Sequence, residues 1–171
     1  MKAESQEQPH LYAIGIGSNR PLARALDPEA IVEKALIALD AAPLRLLAVS
    51  PIIATRPLGP SMRTYANAAA LISSPLPPIA MLDLLQHMER RFGRRRFRRW
   101  GARTLDLDIL LWSDGSFRSK RLAVPHVGLS ARSFVLAPLL KIAAHWRDPH
   151  SGLTIRHLAN RLAKPKPVDQ S

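Results

Sequence analysis

The chain has 171 residues, 47% of them hydrophobic, which favours one domain with its own core. It contains no cysteine, so disulfides and thiolate metal sites are excluded. No apolar run reaches the roughly 18 residues a membrane-spanning helix needs, and Met1 to Pro9 lacks the apolar core of a signal peptide, so a soluble cytoplasmic protein is expected.

The net charge of +12 points first to a nucleic-acid partner. Its distribution argues against that. Residues 90–103 hold eight arginines (Arg90, Arg91, Arg94, Arg95, Arg96, Arg98, Arg99 and Arg103) and no acid, and twelve less eight leaves only +4 for the rest. The charge is local, and it lies just before two aspartates.

In chain order, Leu11 to Gly17 reads as a buried strand ending in a Gly-Ser-Asn turn. Asp27-Pro28-Glu29 starts a helix, with Asp27 as cap and Pro28 at the first helical position. Ile31, Ala35, Ala38 and Leu39 follow at helical spacing, and Pro43 ends the helix. Residues 45–54 predict a strand with Pro51 at an edge or a bulge, 55–64 a loop, and 65–73 another strand. A second helix is expected over about 78–91, with Met81, Leu82, Leu85 and Met88 as its apolar face. After the arginine-rich loop, residues 103–112 predict a strand. Residues 130–142 look helical, with Pro138 breaking the helix or marking its start, and a short helix is expected near 153–162. Residues 1–9 and 163–171 read as disordered tails around a single domain of residues 10–162. The order strand, helix, strand, strand, helix, strand, then helices predicts an α+β fold. It would be a ferredoxin-like βαββαβ core with additional C-terminal helices.

Arg103 to Leu111 is the most informative stretch. Alternation along a strand turns Leu105, Leu107, Ile109 and Leu111 one way and Thr104, Asp106 and Asp108 the other. Two carboxylates at i and i+2, roughly 6–7 Å apart, can share or separately hold magnesium, which prefers oxygen ligands and keeps waters and phosphates. The bland alternative is a solvated face with each aspartate paired to an arginine. Arginines beside a metal-binding pair suit a polyphosphate, since they neutralise oxygens that the metal does not reach. Phe97 and Trp100 would allow stacking on a nucleic-acid base or on an adenine alike. Tyr65 and Asn67, on one face of a strand, suit a flat hydrogen-bonding heterocycle, or else are a core tyrosine and a turn-adjacent asparagine. His126 alone reads as structural more readily than catalytic. No Gly-x4-Gly-Lys-Ser/Thr motif occurs, so any ATP binds without a P-loop; no Ser-His-Asp arrangement is readable either.

Taken in order, several segments resemble the 6-hydroxymethyl-7,8-dihydropterin pyrophosphokinase family. They are Ile-Gly-Ser-Asn (16–19), Thr-Arg-Pro-Leu-Gly-Pro (55–60), Tyr-Ala-Asn (65–67) and Gln-His-Met-Glu (86–89). Arg-Trp-Gly-Ala-Arg-Thr-Leu-Asp-Leu-Asp-Ile-Leu (99–110), Val-Pro-His (124–126) and Arg-Ser-Phe-Val-Leu (132–136) complete the set. The resemblance implies a ferredoxin-like fold. It also implies an ATP- and magnesium-dependent transfer of pyrophosphate to the substrate's hydroxymethyl group, releasing AMP, in folate biosynthesis. By position it implies two magnesium ions on Asp106 and Asp108. Arg94, Arg96 and Arg103 would meet phosphate, with Arg95 replacing either of the first two if the loop shifts by one. Gln86, Glu89, Arg121, His126 and Arg132 match ATP-contacting positions, and Trp100 would close over the nucleotide. Tyr65 and Phe134 would sandwich the pterin, and Thr55, Leu58 and Asn67 would contact its edge. Ala102, Ala123 and Val127 depart from the family pattern, which bears on ATP affinity and loop motion. The competing readings are a divergent paralogue acting on another heterocycle and a nucleic-acid-binding module built on the arginine loop. The expected partners are small molecules, with no membrane and no nucleic acid, on a monomer.

Overall fold

The computed structural model describes residues 8–19, 26–55, 65–93 and 104–164. The elements run β1 (His10–Ser18), α1 (Pro28–Ala38), β2 (Arg45–Val49), β3 (Ile53–Thr55), β4 (Tyr65–Ser74), α2 (Pro78–Arg91), β5 (Asp106–Trp112), β6 (Phe117–Arg118), β7 (Ala123–Val124), α3 (Ser133–Ala143) and α4 (Ile155–Ala163). One antiparallel sheet has the order β2-β4-β1-β5, with β3 also paired to β4. β6 and β7 form a separate hairpin.

The local signals account for much of this. Asp27 is extended and its Oδ1 accepts the N–H of Ala30 at 2.9 Å, so α1 begins where the aspartate supplies an acceptor and Pro28 needs none. α1 stops at Ala38, before Pro43. α4 is capped by Thr154, whose hydroxyl accepts the N–H of His157 at 3.2 Å. Ala163, placed in a tail by the sequence, closes that helix, whereas residues 1–7 and 165–171 lie outside the described residues.

Three expectations are corrected. The single strand predicted over 45–54 is two strands, because Pro51 has no N–H to offer the ladder. Ser50 bridges the gap: its N–H donates to the carbonyl of Ala69 and its Oγ accepts the N–H of Ala69, both at 2.9 Å. Pro138 neither breaks nor starts α3, which runs through it from Ser133 to Ala143. The proline forfeits one early hydrogen bond, and burial of Leu136, Leu139 and Ala143 along one side of the helix, with Pro138 itself buried, offsets that loss. In β5 the pairing with β1 shifts between Ala13 and Ile14, a bulge at Leu110. Strict alternation therefore fails after Ile109, and Leu111 packs with Leu110 instead of with Leu107.

The sheet has two differently covered faces. Tyr12, Ile14, Ile16, Ala68, Ile72, Leu107 and Ile109 face α1 and α2, where they meet Ile31, Val32, Met81 and Leu85 in one core. On the opposite face, Ala13, Ala69, Leu110 and Leu111 are sealed by Leu136 and Leu139 of α3 and Ile155 and Leu158 of α4. The rest of that second face carries glycines and polar residues, and the candidate site lies there.

Candidate active site

Sheet register assembles the centre of the site. Gly17 of β1 pairs with Asn67 of β4 on one side and with Asp106 of β5 on the other. Gly15 pairs with Ala69 and Asp108 in the same way. Residues paired across a sheet share a face, so Asn67, Gly17 and Asp106 form one row and Ala69, Gly15 and Asp108 the next. The glycines leave a trough between the amide and the carboxylates. A Cβ added at Gly17 would stand 3.3 Å from Asn67 Oδ1, and one at Gly15 would stand 3.3 Å from the Leu110 side chain. In the sequence these glycines mark only the end of a strand and a turn; their i, i+2 spacing in a strand is the signal that matters.

β5 is an edge strand, and its free side opens into a cleft of about 290 Å3. Gln86 and Glu89 of α2, Asp106 and Asp108 of β5, Arg121 of the loop between β6 and β7, and His126 just after β7 line it. Both aspartates are half-buried. Among the described residues no group of three or more His, Cys, Asp or Glu could hold a metal by itself. A pair of carboxylates on an open cleft is the donor set of a hard cation that completes its shell with water and phosphate.

His126 has a defined tautomer. Its Nδ1 accepts the N–H of Gly128 at 2.9 Å, so in the neutral ring the proton is on Nε2. Nε2 lies 3.8 Å from Asp108 Oδ2, too far for a hydrogen bond but close enough for electrostatic attraction. The ring therefore offers a donor to the side of the cleft where the carboxylates are. Val124-Pro125, just before it, is a cis peptide.

Glu89 is only 2% exposed, and its Oε1 accepts the N–H of Leu107 at 2.8 Å. Leu107 sits between the two aspartates, so this carboxylate ties α2 to the middle of the Asp-x-Asp segment. The sequence offers no hint of that anchor, because it joins residues 18 positions apart. Gln86, one turn earlier, is half-buried at the cleft wall. Arg121 forms an exposed ion pair with Asp83, a partner the sequence did not suggest. Such a pair contributes about 0–1 kcal/mol, so a phosphate could take the guanidinium from it at little cost.

Tyr65 is 40% exposed and lies on the same side of β4 as Asn67 by alternation. Phe134 is 48% exposed in the first turn of α3, a helix that packs on β4. The Arg132 guanidinium lies over the Phe134 ring, 5.8 Å from its centroid. The backbone of Thr55 pairs with Tyr65 at the end of β3. Leu58, Arg94, Arg95, Arg96, Trp100 and Arg103 lie outside the described residues.

Comparison with known proteins shows the family. The model of the 7,8-dihydro-6-hydroxymethylpterin-pyrophosphokinase family matches residues 13–144. The 2-amino-4-hydroxy-6-hydroxymethyldihydropteridine pyrophosphokinase of Pseudomonas aeruginosa is 41% identical over 152 residues, covering 88% of each chain. The protein of that name from Synechocystis is 36% identical over 158 residues, 91% of this chain and 78% of its own. That from Haemophilus influenzae is 41% identical over 124 residues, 72% of this chain and 77% of its own. Among solved structures, wild-type HPPK-DHPS of Plasmodium falciparum superimposes with a TM-score of 0.70 at 13% identity over 92% of this chain. The chain spans less than half of that longer protein, 42% of it, and the likeness bears on fold alone. The chain belongs to the 7,8-dihydro-6-hydroxymethylpterin-pyrophosphokinase family.

Proposed function

We propose that the chain transfers pyrophosphate from ATP to the hydroxymethyl group of 6-hydroxymethyl-7,8-dihydropterin, releasing AMP, as a step of folate biosynthesis. The observation that supports this reading is the row Asn67–Gly17–Asp106, with an amide suited to a heterocycle and a carboxylate suited to a metal on either side of one trough. In the reaction the substrate hydroxyl oxygen attacks the β-phosphorus of ATP, and the bond from that phosphorus to the α–β bridging oxygen breaks. AMP leaves with the bridging oxygen, and the hydroxyl proton is lost to solvent.

Asp106 and Asp108 would hold two magnesium ions. Bound there, magnesium supplies charge neutralisation at the phosphates and at the attacking hydroxyl. Arg94, Arg96 and Arg103, or Arg95 in place of one of the first two, would take the remaining phosphate oxygens. Gln86, Arg121, His126 and Arg132 would contact ATP, with His126 donating from Nε2. Glu89 would act chiefly by holding β5 through Leu107, beside any contact with the nucleotide. Tyr65 and Phe134 would stack on the pterin, Asn67, Thr55 and Leu58 would meet its edge, and Trp100 would close over the nucleotide. The fold underneath would be a ferredoxin-like βαββαβ core, with β2 and β3 together serving as its second strand and α3 and α4 added. It would form a single domain over residues 10–162 and work as a cytoplasmic monomer. Among the described residues no helix is long and apolar enough to cross a membrane.

Incubation with ATP, magnesium and the hydroxymethyl dihydropterin is expected to yield AMP and the pterin pyrophosphate in equal amounts. Folded protein that yields neither would overturn the reading. ADP in place of AMP would replace pyrophosphate transfer with single phosphoryl transfer.

A further inference from the structure

Gly128 is buried in the turn that follows His126, yet its backbone is not in the left-handed region that favours glycine. Backbone conformation therefore does not explain the residue; space does. A Cβ at this position would stand 2.8 Å from Arg132 Nε and 3.1 Å from both Arg132 Cδ and Arg132 Cζ. The Arg132 side chain lies across the glycine, and its guanidinium continues over the Phe134 ring. Among the described residues Arg132 makes no ion pair, so Gly128 and the Phe134 ring set its direction and its donors stay available to an anion. The same glycine donates its N–H to His126 Nδ1 at 2.9 Å.

We propose that Gly128 is a positioning residue for the nucleotide side of the site, seating the Arg132 guanidinium through its missing side chain while its N–H fixes the His126 tautomer. This rests on the reading of Arg132 and His126 as ATP contacts. The two roles are separable. Alanine keeps the N–H but fills the seat, and the crowded atoms belong to an exposed, flexible side chain that can swing away. Gly128→Ala is therefore expected to displace Arg132 without unfolding the turn.

The test uses binding of α,β-methylene-ATP with magnesium, measured by calorimetry, on the full chain. Arg132→Ala is expected to weaken binding about tenfold, the loss of one charge-assisted contact. Gly128→Ala is expected to weaken it by roughly three- to tenfold, and the double variant no more than Arg132→Ala alone, since both act through one guanidinium. In 15N-labelled protein Gly128→Ala should shift the Arg132 Nε–H resonance, by removing it from the Phe134 ring, and leave the His126 tautomer signature unchanged. Wild-type affinity in Gly128→Ala beside a loss in Arg132→Ala would overturn the proposal, as would additive losses in the double variant. If Arg132→Ala leaves affinity unchanged, the ATP reading of Arg132 falls instead. An unmoved Arg132 resonance in Gly128→Ala would then overturn the seat by itself.

Discussion

Strands β1, β4 and β5 pass from a sealed region to an open one on the same face of the same sheet. At the sealed end Ala13, Leu110 and Leu111 lie under α3 and α4. At the open end, one or two rows away, the positions are Gly15, Gly17, Asn67, Asp106 and Asp108. β5 shows the change most sharply, since Asp106, Asp108 and Leu110 share a face and only the last is buried in a core. A sheet can therefore present a reactive row at one end because the other end, together with the whole opposite face, supplies the apolar burial that stabilises it. Function and stability are divided along the strands rather than between them.

Substitution along β5 separates the two regions most strongly. Asp106→Ala is expected to lower kcat by about a thousandfold or more while changing stability by less than about 1 kcal/mol, because a half-exposed carboxylate contributes to transition-state charge rather than to the core. Turnover assays beside urea denaturation measure both; retained turnover would remove the metal assignment. Leu110→Ala should invert that profile. It is 1% exposed, and its loss is expected to cost about 2–5 kcal/mol with much smaller change in kcat below the lowered melting temperature.

The paired glycines sharpen the boundary. Gly17→Ala crowds Asn67 Oδ1, so it is expected to raise the KM for the pterin by about tenfold with little change for ATP. Gly15→Ala crowds Leu110 instead and should appear mainly as about 1 kcal/mol of lost stability. Equal effects of the two on the pterin KM would show that the trough does not end between these rows.

The last expected effect lies outside the site. Asp148 is buried, which by itself pushes its carboxyl pKa up. The Ser151 hydroxyl and the N–H groups of His150 and Ser151 outweigh burial and hold it below the usual carboxylate range. A depressed pKa in the folded state stabilises the protein above the unfolded carboxylate's pKa and is lost as pH falls through the folded value. Asp148→Asn is therefore expected to be destabilising by about 1–2 kcal/mol near neutral pH and to converge with the parent protein in acid. Melting curves from neutral pH down to acid would check this; a constant difference would mean that the charge is not responsible.

Much of the molecule was legible in the sequence because its signals are local. Asp27-Pro28 contains its own cap, so the start of α1 needed no partner. Alternation put Asp106 and Asp108 on one face because strand geometry has a period of two wherever no bulge intervenes. The ordered motifs from Ile16 to Leu136 gave the family. Tertiary structure decided what depends on residues far apart in the chain. Pairing across the sheet placed Gly17 between Asn67 and Asp106, the bulge in β5 sent Leu111 to the second core, and docking of α2 buried Glu89 against Leu107. Packing likewise joined Arg121 to Asp83. The Asp pair was thus settled by one segment's periodicity, whereas its surroundings were settled by contacts that no single segment encodes.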